Sequence, residues 1–204
     1  DPAAAGSNLG KVPQPYILYV GSAYPHKNLE RLIQAFSQIT SVIPAEAGIQ
    51  ARLNLVLVGK DDYFYQRLKR EQCLEAKLLN IVFTGEVTDQ KLTELYHNAT
   101  LVVCPALHEG FGLPALEAAT HGTPLACSDI PVLREILGEQ TAFFFNPYDS
   151  QDMANVLHEA ITNTPQREQH TKNARERAQS FSWQNTAEET LKIYASLPLH
   201  THPT

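Results

Sequence analysis

The sequence of 204 residues has few of the features that mark membrane, disulfide-rich or metal-binding proteins. No run of apolar residues approaches the roughly 20 that a helix needs to cross a bilayer. The three cysteines, Cys73, Cys104 and Cys127, are odd in number and form no Cys-x-x-Cys pair, so they favour neither a disulfide framework nor a zinc site. Two of them fall in apolar runs, where cysteine behaves as a small apolar residue. We therefore expect a reduced, cytoplasmic protein without metal or cofactor.

Positive charge is also scarce. The chain has 16 Lys and Arg residues against 22 Asp and Glu residues, which gives a net charge of −6. A general nucleic-acid-binding protein would need a basic face, so the net charge argues against this class of function. The sequence contains neither G-x-G-x-x-G nor G-x-x-x-x-G-K-[ST], and it therefore supports neither a dinucleotide fingerprint nor a P-loop ATPase.

Apolar runs with the length and branching of buried strands alternate with helical patterns six times between residues 16 and 145. This alternation predicts an α/β fold, a doubly wound parallel six-stranded sheet of Rossmann-like type with helices on both faces. Residues 1–13 have the composition of a linker. Residues 14–197 are predicted to form the domain, with extra helices at its C-terminal end, and residues 198–204 a disordered tail.

One connection is longer than helix-to-strand loops usually are. Its residues 42–50, V-I-P-A-E-A-G-I-Q, resemble translated copies of a palindromic repeat of some bacterial genomes, which favours a tolerated insertion. A family-specific interaction loop is the alternative. Elsewhere, polar residues in front of amphipathic patterns are predicted to cap the helices that follow: Asn28, Asp62, and either Thr88 or Asp89.

The most informative stretch follows the apolar run at residues 101–104. Residues 108–117 have the sequence H-E-G-F-G-L-P-A-L-E. Pro114 suits the first turn of a helix, where no backbone donor is needed and φ near −65° is preferred. The stretch is therefore predicted to run from a strand through a glycine loop into a helix.

The glycines and glutamates of this stretch suit a phosphate and a sugar. Gly110 and Gly112 have no Cβ, so an anion can approach the free N–H groups at the helix start. Glu117 can accept two hydroxyl hydrogen bonds from a ribose. A sugar hydroxyl gives Glu109 a reason to lie beside a phosphate site. The alternative is a helix carboxylate that favours the helix dipole and a solvated loop glutamate.

Two glutamates at this spacing, with G-F-G-L-P-A-L between them, resemble the E-x7-E signature of retaining glycosyltransferase family 4, also called glycosyl transferases group 1. The resemblance extends to V-G-S-A-Y-P-H-K-N-L-E-R-L at residues 20–32 and to H-G-T-P-L-A-C-S-D-I-P-V-L-R-E at residues 121–135. F-S-W at residues 181–183 is similar to the family's sequence before a last helix, which crosses back to the N-terminal domain. The resemblance implies the C-terminal, nucleotide-sugar-binding half of a GT-B fold.

The resemblance also implies roles for individual residues. Glu109 and Glu117 are the expected catalytic residues, at the transferred sugar and at the ribose. The expected donor-binding residues lie in loops after the strands: Gly21, Ser22, Lys27, Thr84, Gly85, Gly110, Phe111, Gly112 and Leu113. Lys27 is expected at the pyrophosphate, whereas Ser22 stands where the family often has an arginine, which weakens a two-cation clamp.

The remaining assignments from the resemblance are less direct. The main chain at Thr84 and Gly85 is expected beside the nucleotide base, and Phe111 is expected to pack under the loop. Because the family's catalytic histidine is usually carried by the N-terminal half, we expect His108 and His121 to be mainly structural.

The implied activity is hexosyl transfer from a GDP- or UDP-linked sugar, with mannose as the first choice, to a saccharide or lipid-linked acceptor. Bacterial lipopolysaccharide assembly is the expected setting. The chain, which does not begin with methionine, is expected to lack an N-terminal acceptor domain and to transfer nothing alone. Any contact with the inner membrane is expected through that half. A non-catalytic nucleotide-sugar-binding or regulatory module is the alternative, as is a phosphorylase-like or epimerase relative, although no lysine context for pyridoxal phosphate is visible.

Overall fold

The computed structural model describes residues 12–40, 53–72 and 80–197. Within these ranges one sheet contains six parallel strands in the order β3-β2-β1-β4-β5-β6. The strands are β1 Tyr16–Val20, β2 Asn54–Val58, β3 Ile81–Gly85, β4 Leu101–Cys104, β5 Leu125–Ser128 and β6 Phe143–Phe145. The strand order reverses between β1 and β4, as in doubly wound folds. The predicted fold class is confirmed. The predicted insertion at residues 42–50 and Cys73 lie outside the described residues.

Helices follow each strand of the sheet. A short 3-10 helix spans Pro25–Lys27, and the α-helices of the described chain are α1 Leu29–Thr40, α2 Tyr63–Glu71, α3 Asp89–Asn98, α4 Leu113–His121, α5 Pro131–Leu137, α6 Ser150–Thr162, α7 Thr164–Ala178 and α8 Trp183–Ser196. Among the described residues, no helix is both long enough and apolar enough to span a bilayer.

Two apolar layers hold the sheet between the helices. Ile17 and Tyr19 of β1 lie in a layer formed with α1 and α6, whereas Tyr16 and Leu18 lie in a layer formed with α3, α4, α5 and α7. Successive side chains of a strand point to opposite faces, so a strand that is covered on both faces must be apolar throughout. This is why β1 and residues 55–58 of β2 are continuous apolar runs.

Two of the predicted helix caps are confirmed. One carboxylate oxygen of Asp62 accepts hydrogen bonds from the N–H groups of Phe64 and Tyr65, at 3.0 and 3.1 Å. Of the two candidates for α3, Thr88 is the cap, because its hydroxyl oxygen accepts from the N–H of Lys91 at 3.3 Å. Each cap satisfies a backbone donor that the helix itself leaves unpaired.

Asn28 has a different role from the predicted helix cap. It precedes α1, and its carbonyl accepts the N–H of Leu32, but its backbone is left-handed with φ 62°. Its buried side-chain amide donates to the carbonyl oxygens of Pro105, at 3.0 Å, and Pro147, at 2.8 Å. Asn28 therefore joins the loops that follow β1, β4 and β6.

Candidate functional site

The ends of β1, β2 and β3 are joined by backbone hydrogen bonds at the carboxyl edge of the sheet. The N–H of Gly21 donates to the carbonyl of Val58 at 2.9 Å, and the N–H of Gly59 donates to the carbonyl of Gly85 at 3.3 Å. A Cβ on Gly59 would lie 2.1 Å from the carbonyl oxygen of Gly21. Gly59 therefore permits the close approach of these loops, and sequence reasoning missed it.

Two buried tyrosines fix the loop after β1. The hydroxyl of Tyr65 donates to the carbonyl of Gly21 at 3.0 Å, and the hydroxyl of Tyr19 donates to the carbonyl of Ser22 at 2.6 Å. Burial raises the pKa of both tyrosines, so their hydroxyls remain donors. The main chain at Gly21 and Ser22 is thus held in one arrangement.

Lys27 and Glu109 contact each other, although they are 82 residues apart in sequence. The Nζ atom of Lys27 lies 2.6 Å from Oε1 of Glu109, and the two side chains are only 19% and 15% exposed. A backbone hydrogen bond of 2.8 Å from Leu107 to the carbonyl of His26 joins the same two loops. The ammonium group has three donors, so Lys27 can keep this contact and also bind a phosphate oxygen.

The loop between β4 and α4 is shaped by Gly112. Its φ of 94° is left-handed, and a Cβ there would lie 2.7 Å from Cδ2 of Leu133. Pro114 lies in the first turn of α4, as predicted. The first-turn N–H groups of a helix lack partners within it and carry the positive end of its dipole. Gly110 lies in open space, where a ligand can reach the main chain.

Phe111 and Leu113 lie at the surface and are 42% and 46% exposed. The Phe111 ring meets the Phe181 ring edge-to-face, with centroids 6.0 Å apart. The prediction that Phe111 packs under the loop is therefore wrong, because the ring lies at the surface and contacts Phe181, shortly before α8. These side chains and Glu117 line a cavity of about 550 Å³ between α4 and the start of α8.

Glu117 lies on the exposed side of α4, where a tyrosine of α3 holds it. The hydroxyl of Tyr96, which is 1% exposed, donates to Oε2 of Glu117 at 2.8 Å. The Tyr96 ring stacks on His121 with centroids 5.2 Å apart, and His97 meets His121 edge-to-face at 4.7 Å. Burial and the neighbouring Glu117 carboxylate raise the pKa of Tyr96. Sequence reasoning missed Tyr96, since an apolar face of a helix accounts for it equally well.

The side chain of Thr84 turns into the protein. It is 7% exposed, and its hydroxyl donates to the carbonyl of Gly85 at 2.8 Å. Gly85 has a φ of 73° and open space around it, so a ligand could approach the main chain at this strand end. His108 is exposed in the β4 loop, whereas His121 packs against Tyr96.

The predicted site residues thus fall at one edge of the sheet. Lys27 meets Glu109 directly, Gly21 joins β2, and the glycine loop leads into α4. Within the described parts of the chain, no group of three or more His, Cys, Asp or Glu side chains could hold a metal ion. The arrangement offers one ammonium group, several backbone N–H groups and two carboxylates. These groups can bind a phosphate and several hydroxyls together.

Comparisons with known proteins identify the family of this chain. The model of a family described as "Glycosyl transferases group 1" matches residues 5–177. The serotype-specific mannosyltransferase WbdA of Escherichia coli is 35% identical over 188 residues, which are 91% of this chain and 22% of that protein. The O-antigen chain mannosyltransferase B of Escherichia coli is 32% identical over 188 residues, 90% of this chain and 46% of that protein. The chain therefore spans less than half the length of these curated relatives.

Solved structures show the same fold. A sucrose-phosphate synthase from Thermosynechococcus elongatus superposes with a TM-score of 0.75 at 29% identity, covering 95% of this chain and 47% of that chain. Anabaena HepE, in a complex with UDP-glucose, gives a TM-score of 0.75 at 22% identity, covering 89% of this chain and 49% of that one.

Proposed function

The chain belongs to the glycosyl transferases group 1, and from this premise we propose that it is the donor-binding half of a retaining hexosyltransferase of family 4. The observation that carries the proposal is the contact between Lys27 and Glu109 at the start of the glycine loop. Lys27 suits a phosphate and Glu109 suits a hydroxyl of the sugar. The bond that such an enzyme breaks joins the anomeric carbon of that sugar to an oxygen of that phosphate.

The residues of the site would mainly stabilise the charge of the leaving phosphate and orient the donor. When the sugar leaves the nucleoside diphosphate, negative charge grows on the phosphate. Lys27, the first-turn N–H groups of α4 and the helix dipole would stabilise that charge. Glu109 would accept hydrogen bonds from the transferred sugar, and Glu117 would accept them from the ribose hydroxyls. The β3 end at Gly85 would lie beside the base. No metal or cofactor is proposed.

The proposed donor is GDP-mannose, and the proposed acceptor is a saccharide or a lipid-linked saccharide. Support comes from the two relatives named as mannosyltransferases, which are 35% and 32% identical to this chain. The complex of HepE with UDP-glucose supports nucleotide-sugar binding by this fold and keeps UDP sugars as the competing choice. An N-terminal domain would supply the acceptor site, because the chain spans 46% of one such relative. The setting proposed is the cytoplasmic side of a bacterial membrane.

The proposal is tested with the full-length protein, GDP-mannose and a saccharide acceptor. Glu109→Gln and Glu117→Ala should each lower kcat/KM by about 10- to 100-fold, the loss of one charge-assisted hydrogen bond. Proton NMR of the early product should show the anomeric configuration of the donor. Glu139→Gln, which changes a side chain that is 81% exposed in the loop after α5, is the control and should leave the rate unchanged.

Two results would contradict the proposal. Unchanged turnover in both Glu109→Gln and Glu117→Ala would remove these residues from the site. An inverted anomeric centre would overturn the retaining mechanism and leave the donor site standing.

A further inference from the structure

We propose that Tyr96 is a positioning residue that fixes the carboxylate of Glu117 for the ribose of the donor, and that it thereby gives the site its preference for ribonucleotides. The inference rests on the proposed function, because it assumes that Glu117 meets the ribose. It extends that proposal to a residue of a neighbouring helix that belongs to neither of the sequence motifs.

The contact joins two helices from different crossovers of the sheet. Tyr96 lies near the end of α3, and Glu117 lies one turn into α4. The hydroxyl of Tyr96 donates to Oε2 of Glu117 at 2.8 Å. The carbonyl of Tyr96 accepts the hydroxyl of Thr123 at 2.8 Å, which ties the end of α3 to the segment that follows α4. The tyrosine is therefore held both at its backbone carbonyl and at its side-chain hydroxyl.

The environments of the two side chains differ in a way that suits these roles. Tyr96 is 1% exposed, whereas Glu117 is exposed on the surface of α4. The ring of Tyr96 lies against His121, with an interplanar angle of 15°. A buried, stacked ring has a fixed position, so its hydroxyl defines where the carboxylate must lie. Without such a contact, a surface glutamate samples several rotamers and loses that freedom when it binds a ligand.

The direction of the hydrogen bond decides what remains for a ligand. A carboxylate only accepts hydrogen bonds, at about four lone-pair sites. Tyr96 occupies one of these sites on Oε2, and burial keeps its proton in place. Oε1 remains available to accept from the two neighbouring hydroxyls of a ribose. A ligand without these hydroxyls would leave the fixed carboxylate with unpaired lone pairs, and it should bind more weakly.

The test compares ribonucleotides with analogues that lack both hydroxyls. The 204-residue chain is titrated calorimetrically with GDP and UDP and with 2′,3′-dideoxy-GDP and 2′,3′-dideoxy-UDP. For the nucleotide that binds, the ratio of the dideoxy Kd to the ribo Kd should be about 10 or more in the wild type, as expected for lost hydrogen bonds to a charged group. Tyr96→Phe should lower this ratio by about 3- to 10-fold and leave the dideoxy Kd unchanged.

Tyr16→Phe is the matched control. Tyr16 is also 1% exposed, lies in the same apolar layer, and donates its hydroxyl to the carbonyl of Leu95 at 2.8 Å. Removing this hydroxyl should destabilise the fold to a similar degree without changing the ratio. Glu117→Asp is the second variant. Its shorter side chain withdraws the carboxylate from the Tyr96 hydroxyl, so the ratio should fall as it does in Tyr96→Phe.

The outcomes separate the two proposals. A wild-type ratio in Tyr96→Phe, with a lowered ratio in Glu117→Ala, would overturn the positioning role and leave the ribose assignment of Glu117 intact. An equal rise of the ribo Kd and the dideoxy Kd in Tyr96→Phe would show a role in stability alone and would also overturn the positioning role. A wild-type ratio in Glu117→Ala would overturn the ribose assignment, and the role of Tyr96 with it.

Discussion

Lys27 and Glu109 form an ion pair that is far less exposed than an ordinary surface pair. Their side chains are 19% and 15% exposed, whereas Lys192 and Glu189 on α8 are each 69% exposed. Exposed pairs contribute about 0–1 kcal/mol, because water screens them and ordering two long side chains costs entropy. Removal of one partner from a half-buried pair leaves the other charge without its partner. The loss of either partner should therefore cost more here than in an exposed pair, and the loss of Lys27 would also remove the group that holds Glu109 in the site.

Lys27→Met should weaken the binding of a nucleoside diphosphate by about 10- to 100-fold, since a hydrogen bond to a charged group contributes about 1.5–3 kcal/mol. Calorimetric titration with GDP and UDP measures the change. Lys192→Met removes an exposed lysine from α8 and should leave the Kd unchanged. An unaltered Kd in Lys27→Met would remove this lysine from the phosphate site.

His121 should make the fold less stable in mild acid. Burial, and then the nearby His97, lower its pKa below the ordinary 6.5, although Glu117 acts in the opposite direction. As the pH falls through 6.5, the unfolded chain takes up the proton at this position before the folded chain does. The free energy of unfolding therefore decreases in this range.

The check is urea unfolding at several pH values between 7.5 and 5. His121→Gln should reduce the loss of stability on acidification, because it removes the group whose pKa is lowered by folding. If the free energy of unfolding falls equally with pH in the wild type and in His121→Gln, this histidine does not contribute to the pH dependence.

Sequence reasoning identified the candidate charged residues of the site and missed the residues that hold them in place. Lys27, Glu109 and Glu117 stand in patterns that a phosphate or a hydroxyl explains. Tyr96 and Gly59 show nothing comparable, because a buried tyrosine and a glycine after a strand are common. Their roles follow from contacts between distant segments.

At the scale of elements, the connection from β4 to α4 sets the geometry of the site. The helix begins after Gly112 and ends before Gly122, which is also left-handed with φ 71°. A side chain at either position would be strained, because such backbone conformations disfavour a Cβ. Only Gly112 has a close neighbour, Leu133, at the place where the Cβ would lie.

Gly112→Ala should therefore lower the free energy of unfolding by about 1–2 kcal/mol from backbone strain alone, with a further loss if Leu133 cannot move. Gly110→Ala is the matched control in the same loop, because its Cβ would meet nothing within 4 Å and its φ is not left-handed. Its stability should change by less than about 0.5 kcal/mol. Urea unfolding measures both variants, and equal losses would contradict the assigned role of Gly112.

Element types were predictable, but their ends and side-chain partners were less so. Helix α5 begins only at Pro131, because Ile130 is extended with ψ 150° and Asp129 pairs with Arg134 at 2.7 Å. Helix α7 begins at Thr164, because the side chain of Asn163 caps it. Such details depend on single side-chain hydrogen bonds, which periodicity does not detect.

At the scale of the whole molecule, the alternation of strands and helices was enough to predict the sheet and the edge that carries the site. In a doubly wound sheet, the loops at the carboxyl ends of the strands lie together whatever their spacing in sequence. The helices α3 and α4 are neighbours because they precede and follow β4 on the same face of the sheet, yet which of their side chains meet depends on their packing. The contact between Tyr96 and Glu117 was therefore beyond sequence reasoning.

The exposed apolar side chains of α8 also concern the whole molecule. No residue of α8 is buried, and Trp183, Leu191, Ile193 and Tyr194 are each more than 60% exposed. The family resemblance predicts that a helix here crosses to an N-terminal domain. That remains a prediction for the full-length protein.

The central claim is that this chain binds a nucleotide sugar through the glycine loop and Glu117. The most direct test is calorimetric titration with GDP, UDP, GDP-mannose and UDP-glucose of the 204-residue chain and of the full-length protein, each also as Glu117→Ala. We expect saturable binding of one nucleotide and its sugar conjugate, with GDP preferred, and an affinity at least about tenfold lower in Glu117→Ala. Binding that is equal for wild type and Glu117→Ala, or no binding by the full-length protein to any of the four ligands, would contradict the claim.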